Sequence, residues 1–401
     1  MLERASRGAE RLSGEANAVD WLARARVVAP VVAGAAERIE RDRELPEDVV
    51  AALHDAQLFR MLLPRWCDGG ELEPARYLEV VEEIAKQDAS TAWCIGQASG
   101  TAMAAAYLEP EVARAIFADP RAVVASGPSN GTAVAVEGGF RVSGTWLFAS
   151  GSKHATWLGG HCFVQGPDGA PRLDQNGNPL ERTVLFPKDR ARFTDIWHVM
   201  GLNGTGSDQY GVQDLFVPEA YSYTRNAEAD RREQGPLYRF TIFQMHGVAF
   251  AGVALGIARA TLDAFVALAK QKSPRTATYV LRENAVIQAQ VGLSEAKLQS
   301  ARAFLQQTLR ELCEIATTSE RFTLDQRARF RMAATFATHQ ARDVVDAAYH
   351  AAGATAVFRS NPFERRFRDI HTVSQQVQGH ASNFEAVGQC LLGLPPTSKI
   401  L

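Results

Sequence analysis

The chain has 401 residues, with 43 Lys plus Arg against 45 Asp plus Glu, and this near balance provides no overall field for a polyanion or an anionic bilayer. Neither nucleic acid nor membrane is therefore an expected partner, and the length implies two or three subdomains around a continuous apolar interior. Five scattered cysteines without CxxC or Cys/His spacing argue against a disulfide framework and a zinc site, so no metal is expected and a reducing cytoplasm fits best.

The opening residues, "MLERASRGAERLSGEANAVDWLARARVV", mix charges throughout and have no apolar signal core. No later run is expected to span a membrane without polar interruption. From about residue 16 to 118 apolar residues recur at three- and four-residue spacing, as in "EDVVAALHDAQLF" and the Ala-rich "ARYLEVVEEIAKQDASTAWCIGQASGTAMAAAYL", which predicts several helices. From about 121 to 221 short alternating or β-branched runs are divided by turn residues: "AVVASG", "TWLGGHCFV", "RTVLFP", "GVQDLFVP". "VAVEGGFRV" predicts a hairpin turning at Gly138-Gly139, where positive φ carries no Cβ penalty. After Pro236 long helical patterns follow one another and predict an antiparallel bundle, in which Gly252, Gly256 and Ala260 form a stripe suited to close helix crossing.

The order helices, β layer, bundle matches no doubly wound nucleotide fold, and neither GxGxxG nor GxxxxGK[ST] follows a strand. Two stretches in the β region carry mixed chemistry. "GTWLFASGSKHATW" (144–157) sets Trp146, Phe148 and Trp157 beside Ser150, Gly151, Ser152 and His154, a combination that suits a planar heterocycle with polar edges and equally an aromatic sheet core followed by a polar turn. "DIWHVMGLNGTGSDQYGVQDLFVP" (195–218) crowds Gly204, Thr205, Gly206 and Ser207 before a strand, with Trp197 nearby, which suits a phosphate or carbonyl edge and equally a simple hairpin loop.

Together with the "HGVAFAGVALGIARATLDAF" helix and the closing "RRFRDIHTVSQQVQG", these stretches resemble the flavin-dependent monooxygenases built on the acyl-CoA dehydrogenase fold, over nearly the whole chain and in the same order. The resemblance implies a mainly α protein with an N-terminal helical domain at 1–119, a barrel-like β domain at 120–234 and a C-terminal four-helix bundle at 235–401. It also implies a flavin between the last two and a homotetramer assembled through the bundles. The implied activity is that of the oxygenase component of a two-component system. Reduced FMN or FAD comes from a separate flavin reductase, reacts with O2, and passes one oxygen through a flavin hydroperoxide to a small aromatic or amine substrate.

The same resemblance implies cofactor contacts at Trp146, Phe148, Ser150, Gly151, Trp197, Thr205, Gly206 and Ser207, with Arg282 reaching a flavin across a subunit boundary. Within "FRDIHTVSQQVQG" (367–379), acyl-CoA dehydrogenases of one branch carry a Glu about nine residues after the Arg-Asp pair, and the monooxygenases carry a His about eight residues after it. Here Arg368-Asp369 is followed by Gln376, Val377 and Gln378, so Ser150, His371 and Gln376 are the candidate catalytic residues. Two alternatives stand beside this expectation: an acyl-CoA dehydrogenase acting on a CoA thioester, and a non-catalytic helical assembly protein.

Overall fold

In the computed structural model, which describes residues 20–174, 177–224, 230–275 and 278–397, helix α1 (Trp21–Asp42) begins where the Asp20 carboxylate accepts a hydrogen bond from the Ala23 amide at 3.0 Å. The charged opening residues before it lie outside the described residues. Helices α2 (Glu47–Asp55), α3 (Pro74–Ala85), α4 (Ala89–Ala102) and α5 (Pro110–Phe117) follow. The Asp88 side chain caps α4 by accepting from both the amide and the hydroxyl of Thr91. The small residues of α4 leave it buried along nearly its whole length.

Seven strands then form one mixed sheet in the order β5-β6-β2-β1-β3-β4-β7. They are β1 (Val124–Val136), β2 (Gly139–Trp146), β3 (Trp157–Gln165), β4 (Glu181–Pro187), β5 (Arg192–Thr194), β6 (Gln209–Pro218) and β7 (Ser222–Tyr223). β1 pairs antiparallel with β2 and parallel with β3, and its register to β3 shifts between Ser126 and Asn130. The predicted hairpin is present, displaced by one residue: Val136 pairs with Gly139, so the turn is Glu137-Gly138, with Gly138 at φ 75°. Trp146 is wholly buried and donates to the His161 carbonyl at 3.0 Å. A Cβ on Gly131, Gly144 or Gly160 would fall within 3 Å of its ring, which explains the glycines at these three positions.

The bundle comprises α6 (Ile242–Ala269), α7 (Ala285–Ala316), α8 (Leu324–Ala352), α9 (Phe363–Val373) and α10 (Asn383–Leu391). Contrary to the sequence expectation, α6 is by length and composition apolar enough to cross a membrane. Most of its residues are instead buried against its neighbours, so this hydropathy belongs to a core helix. The small-residue stripe serves helix crossing, because a Cβ on Gly256 would stand 2.5 Å from the Glu82 carbonyl oxygen on α3.

Candidate active site

A cavity of about 640 Å³ lies where the sheet, α4, α6 and the turn following α9 meet. That volume is within the range of small-molecule sites, about 300–1,000 Å³.

One wall consists of the two loops singled out in the sequence. Ala149 and Gly151 donate their backbone N–H groups to the carbonyls of Asp208 and Thr205 at 3.2 and 2.9 Å, so the loops are zipped to each other. The buried Asp208 carboxylate accepts from the amides of Ile196 and Trp197 and pairs with Lys153 at 2.8 Å. This clamp sets Phe148 and Trp197 edge to face, 6.0 Å apart at 84°, at the cavity mouth. Phe148 is 58% exposed and has φ 57°, a left-handed conformation rare for a bulky residue and common where a site holds its backbone under strain.

Between the rings runs a hydroxyl chain. Trp93 Nε1 donates to Ser150 Oγ at 3.0 Å, Ser150 Oγ meets Ser207 Oγ at 2.7 Å, Ser207 Oγ meets Thr205 Oγ1 at 2.7 Å, and Thr205 Oγ1 donates to the Leu202 carbonyl at 2.8 Å.

The opposite wall is aromatic. Trp93 on α4 stacks on Phe250 of α6 at 3.7 Å and 7°, and Phe250 stacks in turn on His246 at 5.9 Å and 12°. His246 Nε2 lies 3.3 Å from the Gln97 backbone carbonyl, an acceptor only, so this nitrogen carries the proton. A second imidazole, His161 on β3, lines the floor beside Ser126 and Gly127, with its Nδ1 2.8 Å from the Thr183 hydroxyl.

The last wall is the segment 372–378. Thr372, Gln375, Gln376, Val377 and Gln378 line the cavity, and the Gln376 amide oxygen accepts from the Gln378 backbone at 2.6 Å. Just upstream, Asp369 accepts from the Leu202 amide at 2.7 Å and so ties α9 to the loop wall. Complete burial pushes its carboxyl up to about 7; the Leu202 hydrogen bond opposes the shift, and Asp88 nearby adds to it.

The structure thus brings Phe148, Ser150, Trp197, Thr205, Ser207 and Gln376 to one cavity. Gly151 and Gly206 shape its loops from behind, at φ 78° and 51°. Trp146 stands in the sheet core, away from the lining. His371 is also off the lining, because its Nε2 pairs with Asp346 on α8 at 2.9 Å. Arg282 is exposed in the turn before α7 and lies outside the lining. His154 packs beside Phe59 behind Gly151, and burial pushes its imidazole down to about 3.

Sequence reading missed Trp93, Gln97, His161, His246 and Phe250. They sit in apolar helix or strand patterns in which each reads as core, and the one local irregularity is the cluster of polar residues within the Ala-rich α4. Among the described residues that line the cavity there is no Asp, Glu, Lys or Arg, and among all described residues no cluster of metal ligands occurs.

Residues 19–113 match the family described as "Acyl-CoA dehydrogenase, N-terminal domain", and residues 248–381 match "Acyl-CoA dehydrogenase, C-terminal domain". The chain is 28% identical to the indole-3-acetate monooxygenase of Pseudomonas putida, covering 89% of this chain and 90% of that protein. It is 27% identical to the flavin-dependent monooxygenase oxygenase subunit HsaA of Mycobacterium tuberculosis, covering 92% and 94%. XiaF from a Streptomyces species, solved with FADH2 and glycerol, superposes with a TM-score of 0.88 at 24% identity, covering all of both chains, and so shares the fold.

Proposed function

We propose that this chain, which belongs to the flavin-dependent monooxygenases of the acyl-CoA dehydrogenase fold, is the oxygenase component of a two-component system acting on a small uncharged aromatic. It takes reduced FMN or FAD from a separate flavin reductase. The observation that carries this reading is the make-up of the cavity, which pairs a wall of hydroxyls and zipped backbone with a wall of stacked rings and has no carboxylate on its lining. The residues present fit a flavin: Trp197 and Phe148 would offer apolar faces to it, and Ser150, Thr205 and Ser207 a polar edge. When bound, reduced flavin would supply the two electrons that activate O2, one atom of which passes to the substrate while the other leaves as water.

The protein groups bind, orient and move protons around that chemistry. Trp93, Phe250 and His246 present a flat face to an aromatic substrate, and His161, oriented by Thr183, holds or receives the proton of a substrate hydroxyl or ring N–H. Gln376 orients the substrate by hydrogen bonding, since an amide neither gains nor loses a proton here. A substrate bearing a carboxylate or an ammonium would be buried against no opposite charge, at a cost its stacking could not offset. An acyl-CoA dehydrogenase reading is disfavoured by the same lining, which provides no carboxylate to remove a carbon-bound proton.

Assembly is part of this reading. Exposed apolar residues on α7, Val286 at 72% and Leu293 at 62%, together with Leu391 and Leu392 at the chain's end, favour a homotetramer built through the bundles in the cytoplasm. Arg282 would then meet a flavin only across a subunit boundary.

Mixing the protein with anaerobically reduced flavin and then with oxygenated buffer, with indole or a simple phenol present, tests the function. Hydroxylated product and little free hydrogen peroxide are expected. Dehydrogenation of an acyl-CoA, or no product from any neutral aromatic, would overturn it.

A further inference from the structure

The segment after α9 closes the cavity with a turn whose backbone carbonyls are all in use. The Gly379 amide donates to the Gln376 carbonyl at 3.1 Å, which makes 376–379 a four-residue turn. The Val377 carbonyl accepts from Asn383 Nδ2 at 3.1 Å, the Gln378 carbonyl from Arg331 Nη1 at 2.9 Å, and the Gly379 carbonyl from His339 Nε2 at 3.1 Å. Helices α8 and α10 thus hold the turn from behind. Arg331 also lies over the ring of Phe243, 4.8 Å from its centroid, so one buried guanidinium backs two residues of the cavity lining.

The turn also fixes which way the Gln376 side chain faces. A backbone N–H only donates, so the atom that meets the Gln378 amide at 2.6 Å is the side-chain oxygen, and the nitrogen is the outward atom. Space for that nitrogen comes from Gly379, where a Cβ would stand 2.6 Å from it and 3.0 Å from Thr338 Oγ1. The nitrogen has no acceptor among the described residues and is not sealed in the interior, and the open space that Gln376 lines is the cavity.

We propose that Gln376, locked by its own turn as a hydrogen-bond donor, is a specificity-determining residue that ranks aromatics by the atom on their edge: an oxygen with a lone pair is taken in preference to the N–H of an indole. This rests on the function proposed above, with the flavin on the loop wall and the substrate against the turn. A phenol oxygen accepts from the Gln376 amide while its own proton is held by His161. An indole N–H instead brings a second donor to the first, and the amide is left unsatisfied once the substrate has displaced water. The amide cannot turn round in exchange, because its NH2 group would then face the Gln378 N–H, donor against donor.

The test is the ratio of kcat/KM for phenol to kcat/KM for indole, measured with the intact protein supplied with reduced FMN and O2. Gln376→Glu keeps an oxygen for the Gln378 amide and replaces the outward donor by an acceptor. Its ratio is expected to fall about tenfold or more below that of the parent, with the phenol value dropping and the indole value rising. Gln376→Met keeps the length of the side chain without the donor. It is expected to lower the ratio in the same direction by less, and it replaces Gln376→Glu should that variant fail to fold. A merely structural turn would lower both values together. Equal loss for the two substrates in these variants, or a ratio unchanged from the parent, would overturn the inference alone. No product from either substrate with the parent protein would overturn the inference together with the function beneath it.

Discussion

The loop wall and the helix wall of the cavity are built on opposite plans. In the loops at 147–154 and 195–208 nearly every polar group is committed to another: Asp208 to two amides and Lys153, Gly151 to Thr205, and the hydroxyls to one another. On α4 and α6 the surface is flat and apolar, with an imidazole at the end of a ring stack. The difference teaches that, on the function proposed above, the first wall would discriminate by donor and acceptor pattern and the second by shape and charge.

The comparison breaks most readily at Trp93, the residue shared by both walls. Trp93→Ala removes the stack on Phe250 and the donor to Ser150 together, so kcat/KM for a neutral aromatic is expected to fall about 100-fold, with stability down by about 3 kcal/mol in urea unfolding. Retention of turnover would show that neither wall depends on it.

Next in size is the contrast between two histidines. His161→Ala is expected to lower kcat for a phenol about 100-fold while reduced-flavin affinity stays within about twofold, since an acid or base contributes in that range. His371→Ala, whose imidazole is engaged by Asp346, is expected to leave kcat and the product formed per O2 consumed within about twofold. The reverse ranking in rapid-mixing assays would move the proton chemistry to α9.

A third prediction concerns the tie between α9 and the loop wall. Asp369 has its carboxyl raised to about 7 in the fold and ordinary in the unfolded chain, so the native state holds the extra proton between about pH 4 and pH 7. Its contribution is therefore fully present at the acid end of that window and is lost as the pH rises through about 7. Asp369→Asn keeps an oxygen for the Leu202 amide without the charge. Its stability relative to the parent is expected to improve from pH 5 to pH 8, by about 2 kcal/mol, as read from thermal unfolding across that range. The depressed His154 acts in the opposite sense below about pH 6.5 and remains in both proteins, so the difference between them isolates Asp369.

The smallest effect is expected away from both walls. Gly256→Ala forces a methyl against the Glu82 carbonyl at the α3–α6 crossing and should cost about 1–2 kcal/mol, leaving kcat for a neutral aromatic within about twofold. A larger fall in kcat would mean that the crossing transmits strain to the cavity.

Much of this architecture was legible along the chain. Period-3.6 apolar runs marked α1 to α8, short β-branched runs between turn residues marked the sheet, and "FASGS" and "NGTGS" marked the loop wall. Clusters of glycine and hydroxyl residues are informative locally, because their backbone freedom and short polar arms act within a few positions of themselves. The hairpin turn was misplaced by one residue because two adjacent glycines both permit positive φ, and only strand register chose Gly138. The hydropathy of α6 was underread because interior burial and a membrane select the same residues.

The amino-acid sequence by itself determined the element order, the near-neutral charge, the two Gly/Ser/Thr-bearing loops and the missing carboxylate in the closing segment, all of which follow from residue type and short-range spacing; that the two loops are zipped to each other is tertiary. Tertiary structure alone decided that Trp93, Gln97, His161 and His246 share a cavity with Ser150, that His371 turns to Asp346 instead, and that Trp146 fills a glycine-walled slot in the sheet. The physical reason is that an imidazole or indole on a regular helix or strand has the same local signature whether it meets core, solvent or a ligand. The register shift of β1 and the crossing of α4 and α6 bring residues separated by dozens of positions into contact, and no short-range pattern encodes where those surfaces meet.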